Sequence, residues 1–87
     1  MTTTVNDQRQ HDHTKFFKEL GRRIRELREN AGYSQGDMNA FGFSTRHWQQ
    51  IEAGRPTTTT TLLRICRAFK IKSDDLLRGL DEELYRQ

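Results

Sequence analysis

The stretch GFSTRHWQQIEAG, Gly42 to Gly54, constrains the fold more than any other part of the chain. Between its two glycines, Trp48 and Ile51 lie three residues apart and share one side of a helix, while Thr45, Arg46, Gln49 and Gln50 point elsewhere. Ser44 stands just ahead as an N-cap, its hydroxyl able to satisfy a backbone N–H of the first turn. Gly54 supplies the stop. The spacing predicts a helix, the third in chain order, from about Thr45 to Ala53. Such a helix must lay Trp48 and Ile51 on a core, which leaves the polar side for water or for a partner. Arg and Gln can each place two hydrogen bonds on a purine edge in the DNA major groove, so this face has a chemical use beyond solubility.

The flanking sequence supplies that core. From Lys15 to Asn30, Phe17, Leu20, Ile24 and Leu27 recur at three and four residues, the period of one helix face, and define helix 1. Its other positions carry Lys15, Lys18, Arg22, Arg23, Arg25 and Arg28 with Glu19 and Glu26 among them, and Gly32 ends it. Ser34 then caps helix 2, residues 35–41, with Asp37 completing a capping box and Met38 and Phe41 as the apolar positions. Gly42 breaks that helix and Phe43 turns inward. In GRPTTTTTLL the proline ends one element. Thr57 or Thr58 caps helix 4, where Leu62, Ile65, Cys66 and Phe69 follow at helical spacing as far as residue 69. Cys66 on that stripe reads as a small core residue rather than a reactive thiol. Helix 5 begins behind Ser73, with Asp74 and Asp75 at the positive end of its dipole and Leu76, Leu77, Leu80 and Leu84 as its apolar side. Five helices and no strand make an all-α bundle.

Eighty-seven residues suffice for one small domain. Residues 1–13 are polar, with Met1 and Val5 the only aliphatic side chains, and read as a flexible N-terminal arm. His11 and His13 flank Asp12 there, but without further ligands they read as solvated histidines, and no metal site is expected. Residues 14–80 form the domain, and 81–87 an acidic tail or an extension of the last helix. Residues 1–73 hold 13 basic and 7 acidic side chains, a balance of +6, whereas residues 74–87 balance at −3. A basic body thus carries an acidic end, which favours polyanionic partners. No apolar run approaches the roughly 20 residues needed to span a bilayer. The start lacks a signal-type stretch, and one cysteine forms no internal disulfide, so a cytoplasmic setting is expected.

Two short helices joined by a glycine turn, the second with a polar free face, form a helix-turn-helix. The landmarks LGRRIRELRENAGYSQ, GFS, QQIEAGRP and TLLRICRAF followed by DDLL stand in register. Over about Leu20 to Leu77 they resemble the Cro and phage-repressor family of DNA-binding domains, also called the xenobiotic-response-element type. The resemblance implies a compact five-helix fold with helix 3 in the major groove. It implies base contacts by Thr45, Arg46, Gln49 and Gln50, and phosphate contacts by Gln35, Ser44 and Arg55. Trp48 and Ile51 would lock the helices together, and Glu52 would pair with Arg28 to fix helix orientation. One departure stands out. The family usually places eight steps between the glutamine that opens helix 2 and the turn glycine, but Gln35 to Gly42 is seven. A shorter helix 2 or a shifted turn must absorb the difference, with Phe41 and Phe43 filling the space.

The expected function is sequence-specific binding of double-stranded DNA by a transcriptional regulator of repressor type. A homodimer on a palindromic operator is expected, with Leu80, Leu84 and Tyr85 as surplus apolar contacts. No cofactor and no membrane partner are expected. The alternative is a protein-interaction module on the same fold, an antitoxin or a transcription-machinery adaptor with a second protein partner. An enzyme is disfavoured: no His, Cys or paired-carboxylate cluster stands at metal or acid/base spacing, and no glycine loop cradles phosphate.

Overall fold

In the computed structural model, residues 13–80 are described. The expectations for residues 1–12, for Leu84 and Tyr85, and for the acidic residues 81–83 lie outside them. Helix 1 spans Thr14–Asn30, helix 2 Gly36–Phe41, helix 3 Thr45–Glu52, helix 4 Thr59–Phe69 and helix 5 Ser73–Leu77. No strand occurs among the described residues, and none of their helices is long and apolar enough to cross a membrane.

Local chemistry sets most of the boundaries. After Asn30 the Gly32 backbone turns left-handed (φ 81°), and the Tyr33 N–H reaches back to the Arg28 carbonyl at 3.1 Å, closing the helix end. Ser34 and Asp37 exchange a reciprocal pair of bonds, Asp37 N–H to Ser34 Oγ and Ser34 N–H to an Asp37 carboxylate oxygen. That is a capping box with Asp in the place of the longer Glu. Of the two threonine candidates, Thr58 is the cap of helix 4, accepting from the Thr61 N–H at 3.2 Å. Helix 5 differs from expectation: it starts at Ser73 itself behind Lys72, without a side-chain cap. His13, the last residue of the expected arm, is the half-buried N-cap of helix 1 in a left-handed conformation.

The missing step in helix 2 is absorbed by a change of winding. The element is a 3-10 helix throughout its six residues. Each of these six residues turns the chain by about 120° where an α residue turns it by about 100°, a gain of roughly 120° that offsets the roughly 100° of one missing residue. Tighter coiling therefore restores most of the angle at which the turn delivers helix 3. Space filling falls to one phenylalanine only. Phe43 is buried in the core, whereas Phe41 is 36% exposed at the surface, contrary to its expected inward role.

The core is built from Leu20, Ile24, Met38, Phe43, Trp48, Ile51, Ile65, Cys66, Leu76 and Leu80. Trp48 is its centre, with the Phe43 ring edge-on at 5.0 Å and Phe69 at 6.3 Å. Leu80 is 1% exposed, so it closes the core and is not the surplus apolar contact expected of it. Burial pushes the Cys66 thiol above its usual range, in keeping with an inert packing residue. Gly21 sets the approach of helix 1 to helix 3: a Cβ there would lie 2.7 Å from the carbonyl oxygens of both Ile51 and Glu52. The pattern of helix 1 gave no sign of this contact, because it depends on a helix thirty residues away.

Candidate functional site

Helix 3 is held at both ends. The Ser44 hydroxyl accepts the His47 N–H at 3.1 Å, and beyond Glu52 the left-handed Gly54 lets the Arg55 N–H return to the Gln50 carbonyl at 3.1 Å. Trp48 and Ile51 are 0% and 3% exposed and face the core. At about 100° per residue, Arg46 then points most directly outward, with Gln49 and Gln50 about 50° to either side of it, Thr45 beyond Gln49 and His47 beyond Gln50. Arg46, His47 and Gln49 are exposed, and Thr45 and Gln50 are half-buried. His47 is an addition to the residues named from sequence. The helical period alone could have found it.

Glu52 is the hub behind this face. Its carboxylate takes a two-pronged grip from Arg28, Nε at 2.6 Å and Nη2 at 3.1 Å, with a further bond from Trp48 Nε1 and one from Gln35 Nε2 at 3.0 Å. Arg28 is 8% exposed, so it belongs to the interior and not to the solvated face of helix 1. Its remaining reach goes to the Tyr33 carbonyl at 2.8 Å. Burial pushes the Glu52 carboxyl upward, but the bonds from Arg28, Gln35 and Trp48 and the Arg28 charge outweigh it, so the group stays below the usual carboxylate range. The bond to Glu52 raises Arg28 in turn, against the opposing effect of burial.

The hub fixes the direction of an amide relay. A carboxylate only accepts, so Gln35 must turn its NH2 toward Glu52 and its oxygen away. That oxygen accepts from Gln49 Nε2 at 3.2 Å. Gln49 is thereby left with one N–H and its carbonyl oxygen for an outside partner, a donor and an acceptor side by side. Gln35, named from sequence as a phosphate contact, spends its oxygen and one N–H within the relay. The other named positions stand at the surface: Ser44 keeps its hydroxyl proton available, and Arg55 is exposed.

Two residues that sequence reasoning passed over hold the turn. Asn39 Nδ2 donates to the Phe43 carbonyl at 2.6 Å and lies 3.5 Å from Thr45 Oγ1, bridging helix 2 to the start of helix 3. Asparagine's habit of bonding nearby backbone was the available signal. Arg64 of helix 4 donates to the Gly42 carbonyl at 2.8 Å with its guanidinium 4.3 Å from the Phe43 ring centre. Nothing in the local sequence of helix 4 announces that contact.

The charges divide by region. Arg22, Arg23, Arg25 and Arg28 on helix 1, and Arg78, each have a carboxylate within salt-bridge distance. Among the described residues Arg46, Arg55, Arg64 and Arg67 have none. The described residues also hold no group of three or more His, Cys, Asp or Glu able to bind a metal. A family model described as a helix-turn-helix domain matches residues 19–80. No curated protein and no solved structure matches the chain.

Proposed function

The chain belongs to the helix-turn-helix domain family, of the Cro and phage-repressor type, and on that premise we propose that it is a transcriptional regulator that reads a specific duplex DNA sequence as a homodimer. The observation that carries this reading is the outer face of helix 3, where an arginine with no carboxylate partner stands beside an amide of fixed direction. Gln49 offers the donor and acceptor pair that matches N7 and N6 of adenine, and Arg46 the two-pronged donor that matches N7 and O6 of guanine. Thr45 and Gln50 flank these two as further base contacts. Ser44, Arg55 and the second N–H of Gln35 reach phosphates and set the register without reading sequence. Two copies related by a two-fold axis read the halves of a palindrome, since one helix of this length covers only a few base pairs. Binding needs no cofactor and no covalent step.

Selection of bound duplexes from a random pool tests the proposal. A palindromic consensus containing adenine and guanine is the expected result, with binding that weakens steeply as salt rises, by about 0.9 logarithmic units per phosphate contact for each decade of salt. Recovery of no consensus, together with a flat salt response, would overturn it. Sedimentation of the protein with and without the selected duplex tests the dimer; a single copy on the DNA would remove that part.

A further inference from the structure

A second surface lies on the outer side of helix 4. Phe41, Arg64, Arg67, Ala68 and Lys70 line a groove of about 340 Å³. Phe41 and Ala68 give it an apolar floor, and beyond the lining Tyr33 packs on Phe41 with ring centres 5.6 Å apart, each of the two 36% exposed. Leu63, 54% exposed, stands one turn before Arg67 on the same helix face. The rim is cationic and uncompensated. Among the described residues neither Arg67 nor Lys70 has a carboxylate partner, and no Asp or Glu occurs between Ala53 and Ser73. Arg64 is already fixed on the Gly42 carbonyl, which ties the groove to the glycine turn.

Exposed apolar surface rimmed by charge marks an interaction site, and the sign of the rim selects its occupant. We propose that this groove docks an acidic segment of another protein, with carboxylates on Arg67 and Lys70 and an apolar side chain against Phe41. A duplex backbone offers the charge but has no apolar group to fill the floor.

Fluorescence anisotropy with a labelled random copolymer of glutamate and tyrosine tests the assignment on the full chain. The copolymer should bind at least tenfold tighter than polyglutamate of the same length. The double variant Arg67→Glu, Lys70→Glu should weaken that binding at least tenfold, while Lys15→Glu, Lys18→Glu, an equal change of charge, alters it less than twofold. Duplex DNA affinity should fall no further in the first double variant than in the second, and thermal melting should report both folded. Equal binding of the two polymers, or an equal effect of the two double variants, would overturn the proposal. So would a selective loss of duplex affinity in the first variant, or displacement of the copolymer by a thymidine oligonucleotide. Tenfold tighter binding by the variant Asp81→Asn, Glu82→Gln, Glu83→Gln would make the chain's own acidic segment the occupant and overturn the assignment to another protein.

Discussion

Helix 1 and the pair formed by helices 3 and 4 use the same residue, arginine, to opposite ends. On helix 1, Arg22 lies between Glu19 and Glu26, Arg23 takes Glu19 and the Leu76 carbonyl, Arg25 takes Glu29, and Arg28 is buried against Glu52. On helices 3 and 4 and the loop between them, Arg46, Arg55, Arg64 and Arg67 meet no carboxylate among the described residues. The helix with the most arginines is therefore the brace, its arginines spent on neighbours one turn away or on the hub. Of the other four, Arg64 is spent on the Gly42 carbonyl, and Arg46, Arg55 and Arg67 are left for an outside anion. Net charge counts both kinds alike, and so overstates what helix 1 offers a partner.

The largest test of this contrast is to break the hub. Glu52→Ala leaves Arg28 buried without its carboxylate and should cost about 3–5 kcal/mol of stability in urea unfolding. The gentler Glu52→Gln should also loosen the relay, lowering DNA affinity beyond what its loss of stability explains; an unchanged melting temperature and affinity would refute the role. Acid sharpens the same point. Because the folded-state Glu52 carboxyl lies below its ordinary range, its contribution is complete above about pH 4.3 and is lost as pH falls through the folded-state value. The stability gap between the parent and Glu52→Gln should therefore narrow on acidification through that window.

Next in size is the brace itself. Gly21→Ala gains helix propensity but drives a methyl against the Ile51 and Glu52 carbonyls, and should lose about 1–3 kcal/mol net. A melting temperature at or above that of the parent would show that the helices can part without penalty. Arg46→Ala should cost a similar figure, about 1–3 kcal/mol, but in affinity for the selected duplex and with relaxed choice at one base position. Equal loss on random duplex would show that Arg46 reads no base. The smallest effect sets the two regions directly against each other: Arg55→Ala should reduce the salt slope of DNA binding by about one unit, whereas Arg22→Ala should leave it unchanged. Equal slopes in the two variants would erase the distinction.

Much of the scaffold was legible because its causes are local. Ser44, Ser34 and Thr58 bond amides within three residues, and Gly32, Gly42 and Gly54 take the left-handed backbone that ends the helix before each of them. Expectation failed where packing decides among equivalent patterns. Phe41 and Leu80 both sat on plausible apolar stripes, yet one ended at the surface and the other in the core. Ser73 resembled a cap, but the chain enters helix 5 one residue earlier. The seven-residue step was visible in the sequence, and its solution by 3-10 winding was not, because one missing residue can be absorbed by rotation, shortening or a moved turn.

By itself the sequence determined that this chain is helical, where its third helix begins and ends, and which of that helix's sides faces the core, since hydrogen bonding within a turn and the period of 3.6 residues act over a few positions. Only the tertiary structure decided which arginines are spent and which are free, how Glu52 directs the Gln49 amide through Gln35, and that Arg64 clamps the glycine turn. Those contacts join residues 14 to 24 positions apart, a distance over which no local preference acts and only the packed core brings the partners together.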